Sequence, residues 1–173
     1  MILKALGSIL VLVAGFGTAY SIRRDLAAHL ALLYDLRKLF VDISYAAAGS
    51  MQPVEILLGC FIRTGDERLD AVCKEVADRL IEKREGRGEE VWRSVFAEHR
   101  KDLHLTAEEA DIAEGMGQAF FGKSVEENRR HLELSLERLD FLIGTARGEQ
   151  KEKQKVYGAI SVLGGVMLVI LLV

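Results

Sequence analysis

The sequence is poor in the residues that build sheets, disulfide frameworks and zinc sites. It has one proline, Pro53, and few Val/Ile/Thr-rich runs outside its two ends, which argues against β-sheet. Two cysteines, Cys60 and Cys73, are too few for a disulfide framework or a zinc cluster, so we interpret them as buried helical thiols. No two histidines are spaced i, i+4 for a shared metal; they are His29, His99, His104 and His131. These shortages predict an all-helical chain without a metal site.

Charge is nearly absent from both ends of the chain. Residues 1–22 contain one charge, Lys4, and residues 156–173 contain none, although 28% of all residues are charged. The segment 23–155 therefore holds 22 basic and all 26 acidic residues, a formal charge of −4. A nucleic-acid surface needs basic residues in excess on one face, so none is predicted. This segregation predicts one polar domain between two apolar segments.

Both apolar ends are long enough to cross a bilayer as helices. About 20 helical residues cross a hydrocarbon core of about 30 Å, and neither end shows the polar stripe of a soluble helix. The sequence thus predicts an N-terminal transmembrane helix at 1–22 and a C-terminal one at 156–173. A cleaved signal peptide is the alternative for the first segment, with small residues at Gly17 and Ala19. Its single early lysine, long apolar run and following arginines favour an uncleaved span.

Basic residues flank both predicted spans on the side of the polar domain. Arg23 and Arg24 follow the first span, and Lys151, Lys153 and Lys155 precede the second. Positively charged flanks face the cytoplasm, so the two spans independently predict a cytoplasmic middle domain. Both chain termini are then expected on the outer side of the membrane.

The middle segment, 23–155, is predicted to form a helical bundle. Apolar residues recur at three- and four-residue spacing in segments that end at glycines, and short connections favour antiparallel neighbours. Two Ser/Thr-x-x-Glu capping boxes mark helix starts at Thr106 and Ser124. The fold class is therefore an all-α, six-helix antiparallel bundle flanked by the two transmembrane helices. The six helices are expected at about 23–48, 51–63, 67–85, 89–103, from 106 and from 124.

One segment, Gly117–Ser124, matches the phosphate-loop pattern G-x-x-x-x-G-K-S. In that motif the loop backbone cradles phosphates, the lysine reaches the terminal phosphates and the serine binds magnesium. The motif follows a buried strand, whereas residues 107–116 are predicted to be a capped helix. We therefore interpret Gly117, Gly122, Lys123 and Ser124 as a helix–glycine–helix corner and a chance match. No other catalytic constellation is recognisable, so the chain is predicted not to be an enzyme and to need no cofactor. The alternative hypothesis is a membrane-tethered nucleotide-binding enzyme that uses Gly117–Ser124.

Four segments carry a resemblance to a known family. They are Leu36–Tyr45, Pro53, Gly117–Ser124 continuing to His131, and Lys155–Val173. Together with the arrangement of spans and helical middle, they resemble the stage III sporulation protein AB family of endospore-forming bacteria over nearly the full length. The matching positions are Tyr45, Pro53, Gly117, Gly122, His131, Tyr157 and Gly164.

The resemblance implies a role in the channel between mother cell and forespore. The family's middle domain is similar to the cytoplasmic domain of the platform proteins of type II secretion and type IV pili. By that likeness the expected function is an inner-membrane platform in the outer forespore membrane, on the mother-cell side. Its expected partners are a secretion-type ATPase (stage III sporulation protein AA), the other channel proteins, the membrane itself and further copies of the chain.

Overall fold

The computed structural model describes residues 2–48, 65–82, 88–122 and 124–172. Within these ranges the chain forms helices and turns and contains no strand, which confirms the all-α prediction. The predicted second helix, 51–63, lies outside the described residues together with Pro53 and Cys60. The helices of the described ranges are α1 (Ile2–Ala48), α2 (Glu67–Glu82), α3 (Gly88–His99), α4 (Ala107–Phe121) and α5 (Val125–Leu172).

The first and last helices are unusually long, with 47 residues in α1 and 48 in α5. Each runs without a break between a terminal apolar segment and an amphipathic one, as the lack of a helix-breaking proline at these junctions predicts. The Cα atoms cluster into two compact units. Unit 1 comprises Met1–Leu30 and Gly144–Val173, and unit 2 comprises Ala31–Ile143. The predicted domain boundaries near residues 22 and 155 remain a prediction.

The two predicted membrane spans fall largely outside the part of the chain whose side chains are described. This applies to residues 2–19 and to most residues from 157 to 172. Among the residues that are described, no helix has the length and apolar character needed to cross a membrane. The transmembrane helices therefore remain a prediction.

Four aromatic rings form the centre of unit 2. Trp92 and Phe96 of α3 stack with ring centroids 4.6 Å apart, and Phe120 of α4 meets Trp92 edge-on at 5.2 Å. Phe40 of α1 completes the cluster, 6.4 Å from Trp92 and 6.1 Å from Phe120. The indole Nε1 of Trp92 donates a hydrogen bond of 2.7 Å to the Ala113 carbonyl, so the buried ring leaves no polar atom unsatisfied. Helices α1, α3 and α4 are thus joined through one aromatic core.

Aliphatic side chains from the predicted stripes surround this aromatic cluster. The stripe of α1 supplies Leu33, Leu36, Leu39 and Ile43, all fully buried, as its three- and four-residue spacing predicts. Helix α2 packs against α3, and α3 packs against α4. Buried residues from α2 to α5 and from the turn after α3 include Leu69, Val72, Val76, Val91, Val95, Leu103, Ile112, Met116, Leu139 and Ile143.

Helix α3 ends four residues earlier than the predicted boundary at Leu103. Regular helix stops at His99, and residues 100–104 form a turn. The amide of Leu105 donates to the Arg100 carbonyl and that of His104 to the Lys101 carbonyl, at 3.2 and 3.1 Å. This pair of bonds defines a Schellman cap, whose left-handed residue is His104 with φ 53°. The cap directs Leu103 into the core although it lies beyond the regular helix.

The left-handed backbone at His104 predicts a stabilising substitution. Glycine adopts φ > 0 at no steric cost, whereas a Cβ is penalised there and a β-branched residue most of all. His104→Gly is expected to raise the free energy of unfolding by about 0.5–1 kcal/mol, and His104→Val to lower it by about 1 kcal/mol. Urea unfolding of the full chain in mild detergent measures both changes. Equal stability of the two variants would contradict the assignment of this cap.

The start of α4 has the complete capping box that the sequence predicts, and the start of α5 shows the bond to the Ser124 hydroxyl. Thr106 Oγ1 accepts the Glu109 amide at 3.4 Å, and the Glu109 carboxylate accepts the Thr106 amide at 2.8 Å, so the first capping box is complete. Ser124 Oγ accepts the Glu127 amide at 3.4 Å. Both hydroxyls satisfy amides that would otherwise lack a partner in the first helical turn, which fixes where these helices begin.

Candidate membrane-facing surface

Helix α5 carries an exposed apolar stripe near its C-terminal end. The stripe consists of Val156, Ile160, Leu163 and Met167, whose spacing of three and four residues places them on one helix face. Each of these residues has between 56% and 69% of its surface exposed. Single exposed apolar residues are ordinary, but a row of four along one helix face is typical of a surface that contacts lipid or another protein.

Both predicted basic flanks belong to unit 1, and the one on α5 directly precedes this stripe in sequence. Arg23 and Arg24 are exposed on α1, and Lys151, Lys153 and Lys155 are exposed on α5. Lys153 pairs with Glu149 one turn earlier, with Nζ 3.2 Å from the carboxylate oxygen. Tyr20, also exposed, precedes the arginines by one helical turn. Tyrosine, arginine and lysine beside an apolar surface are the residue types enriched where a membrane meets water.

The glycines of the phosphate-loop-like segment have packing roles. Gly117 is buried inside α4, where a Cβ would lie 3.0 Å from Trp92 Cδ1 and 3.1 Å from the Glu89 carbonyl. A Cβ here would require Trp92 or the Glu89 carbonyl to shift by a few tenths of an ångström, so glycine favours the close approach of α3 and α4. The amides from Gly117 to Phe121 belong to the helix, where they bond carbonyls one turn earlier instead of facing a ligand.

The second glycine of the segment, Gly122, ends α4. Its amide bonds the Gln118 carbonyl at 2.9 Å, and a Cβ would lie 2.5 Å from that carbonyl oxygen. The Asn128 side chain occupies the same space and donates to the Gly122 carbonyl at 2.9 Å. Lys123 lies outside the described residues, and Ser124 caps α5. Among the described residues of the segment, both glycines are therefore closely packed, Gly117 inside α4 and Gly122 at its end.

A polar network that the sequence did not predict joins α2 to the end of α3. Arg79 of α2 binds the Glu98 carboxylate through two nitrogens, at 2.9 and 2.5 Å, and also pairs with Glu75. His99 contacts Glu75 through Nε2 at 2.7 Å and Asp102 through Nδ1 at 3.1 Å. Because Glu75 and His99 are 24 residues apart, only the packing of α2 on α3 brings them together.

This network predicts a pH dependence of stability. Hydrogen bonds to Glu75 and then Asp102, against some desolvation, hold the pKa of His99 above its usual value near 6.5. The stabilisation from protonated His99 is therefore fully present below about pH 6.5 and is lost as pH rises through the higher folded pKa. It is expected to be below about 1 kcal/mol because the network lies at the surface. Urea unfolding at pH 6 and 8.5 should show this loss for the wild type and not for His99→Gln.

A second link that sequence alone could not pair connects the two long helices within unit 2. The Arg37 guanidinium on α1 binds the Asp140 carboxylate on α5 through two parallel bonds of 2.5 and 3.0 Å. The residues are 103 positions apart, and the fork geometry fixes one helix against the other. The bond to Asp140 raises the pKa of Arg37.

The remaining residues singled out from the sequence are scattered. Tyr45 is exposed, His131 and Gly164 are half-buried, Pro53 lies outside the described residues, and the side chain of Tyr157 does too. Cys73 is half-buried, and burial of its thiol raises its pKa to about 12. Over the ranges that the structure covers, no three His, Cys, Asp or Glu side chains are placed to hold a metal ion.

Fold and surface together describe an all-helical protein with two long terminal helices and a compact aromatic core. The family model for stage III sporulation protein AB matches residues 4–173. The chain therefore belongs to the stage III sporulation protein AB family, which confirms the resemblance found in its sequence. Searches of the curated proteins and of the solved structures returned no match.

Proposed function

We propose that this sporulation protein is a membrane-anchored platform of the channel between mother cell and forespore. Membership of the family gives the sporulation process. The exposed apolar stripe of α5 beside exposed lysines is the observation that carries the anchoring. In this proposal α1 and α5 enter the outer forespore membrane from the mother-cell cytoplasm, and both termini lie on the far side.

Unit 2 is the part of the chain suited to hold a soluble partner. Its aromatic core joins three helices, and its described surface carries salt-bridge networks that hold neighbouring helices in register. A rigid body attached to the membrane at both ends of its sequence transmits force with little deformation. We propose that its partner is a secretion-type ATPase, stage III sporulation protein AA, and that the other channel proteins bind the membrane-embedded part.

Binding of the ATPase to the full chain in liposomes tests the platform role. Liposomes that carry the chain should retain the ATPase on flotation, whereas empty liposomes should not. Unit 2 has 16 basic and 23 acidic residues, so the contact is expected to weaken as salt screens its negative charge. Absence of retention at every salt concentration, with nucleotide and without it, would refute the platform role.

Cysteine labelling in cells tests the orientation. A cysteine introduced at Ala97, an exposed residue of α3, should react with a membrane-impermeant maleimide only after the cells are opened. A cysteine at Val173 is the matched control and should react on intact cells. The background is the same chain with Cys60→Ser and Cys73→Ser. Labelling of the Ala97 position on intact cells would overturn the proposed orientation.

A further inference from the structure

The two units carry opposite charge. Unit 1 holds seven of the 23 basic residues and three of the 26 acidic ones, which gives it a formal charge of +4. Unit 2 holds the other 16 basic and 23 acidic residues and has a formal charge of −7. The overall charge of −3 is therefore the sum of a positively charged unit 1, the smaller of the two, and a negatively charged unit 2.

Six of the seven basic residues of unit 1 lie within eleven residues of Leu30 or Gly144, the ends of its two helical segments. Arg23 and Arg24 lie seven and six residues before the segment of α1 ends at Leu30, and Lys151 lies seven residues after the other segment begins at Gly144. At 1.5 Å per residue, both positions are about 10 Å along their helices from these ends. The exposed basic residues at this level form a set that we term the basic collar: Arg23, Arg24, Lys151, Lys153 and Lys155.

The basic collar lies directly beside the apolar stripe. Val156, the first stripe residue, follows Lys155 in sequence and is itself exposed. A nucleic acid would complement only the charge of this region, whereas a phospholipid offers an anionic headgroup for the basic residues and, directly beside it, acyl chains for the apolar stripe. Three carboxylates, Asp25, Glu149 and Glu152, reduce the net charge of this level without reversing it.

We propose that the basic collar binds the headgroups of anionic phospholipids, so that these lipids are enriched around the chain within the membrane. This inference rests on the proposed membrane anchoring and adds the class of lipid to it. The long lysine and arginine side chains extend from an apolar helix surface to the headgroup level, where each basic residue near the surface attracts anionic lipid.

Lipid selectivity of the full chain in liposomes tests the proposal. The chain is reconstituted in phosphatidylcholine vesicles that contain a trace of spin-labelled phosphatidylglycerol or of spin-labelled phosphatidylcholine. Electron paramagnetic resonance then measures the motionally restricted fraction of each. The phosphatidylglycerol label should be enriched at the protein boundary about two- to five-fold at low salt, and the enrichment should fall as salt is added.

Substitutions on one helix separate the basic collar from charge elsewhere. The triple variant Lys151→Gln, Lys153→Gln and Lys155→Gln should lower the enrichment towards one-fold. The matched control removes three exposed arginines of the same helix within unit 2, by Arg129→Gln, Arg130→Gln and Arg138→Gln, and should keep the wild-type enrichment.

Each other outcome overturns a definite statement. If the wild-type chain restricts the same fraction of the phosphatidylglycerol label as of the phosphatidylcholine label, at every salt concentration, the lipid selectivity is refuted. The membrane anchoring is then unaffected. An equal loss in the collar variant and the control variant refutes the role of the basic collar. If neither label shows a restricted fraction, the membrane anchoring fails and this inference fails with it.

Discussion

Replacing Trp92 with alanine is expected to lower the free energy of unfolding by about 3–5 kcal/mol. Trp92 is fully buried and contacts the rings of Phe40, Phe96 and Phe120, so its removal leaves a cavity among three helices. It also removes the donor to the Ala113 carbonyl. The change should appear as a lower urea midpoint of the full chain in mild detergent, followed by circular dichroism at 222 nm.

Tyr45→Ala is the matched control for the loss of a large aromatic side chain. Tyr45 lies on α1 and is largely exposed, so its substitution should change stability by less than about 0.5 kcal/mol. Phe96→Ala should behave like Trp92→Ala, because the two rings stack and are both buried. If Trp92→Ala and Tyr45→Ala had equal effects, the aromatic cluster would not be the centre of unit 2.

Two glycines two residues apart on α4 are expected to respond to alanine with opposite signs. Gly117→Ala should lower the free energy of unfolding by about 1–2 kcal/mol, because its Cβ would press on Trp92 and the Glu89 carbonyl. Gly115→Ala should raise it by about 0.5–1 kcal/mol, because a Cβ at Gly115 meets nothing within 4 Å and alanine favours the helix. Urea unfolding of the two variants under the same conditions makes the comparison.

The same two glycine variants also test whether packing or nucleotide binding explains why residue 117 is a glycine. If packing is the reason, Gly117→Ala is less stable than the wild type without added ligand. Adding ATP and magnesium then leaves the urea midpoints of Gly117→Ala and Gly115→Ala unchanged. A nucleotide site would instead make the wild type more stable when ATP is added, by linkage between binding and folding. Stabilisation by ATP that Lys123→Ala abolishes would restore the phosphate-loop interpretation of Gly117–Ser124.

The sequence predicted those features of the helices that depend on residues close to one another in the chain. The cap hydroxyls of Thr106 and Ser124 place the starts of α4 and α5, since the bond between a cap and the amide three residues later depends only on spacing. The stripe from Leu33 to Ile43 predicts a buried face for the same reason. The end of α3 was placed at Leu103 because Leu103 keeps the apolar spacing, whereas regular helix stops at His99 and a turn over residues 100–104 carries Leu103 into the core.

Pairings across long sequence separations could not be predicted. Several acidic residues lie at different sequence distances from Arg79, so the sequence does not identify its partner. The packing of α2 against α3 selects Glu98. Arg37 and Asp140 are 103 residues apart, and no sequence rule pairs them. Likewise, the sequence shows Gly117 only as a glycine in a motif; its contact with Trp92 comes from two helices that cross. Charge and shape complementarity between helices are properties of a three-dimensional arrangement.

By itself the sequence determined the helical character, the capped helix starts, the apolar ends with their basic flanks and the family. Each of these depends on residues within a few turns of one another or on composition along the chain. Only the tertiary structure decided that Gly117 serves the contact between α3 and α4, that His99 meets Glu75, and that the residues of the basic collar belong to one compact unit. These depend on how helices pack, because a side chain's neighbours across an interface are set by crossing geometry and not by sequence distance.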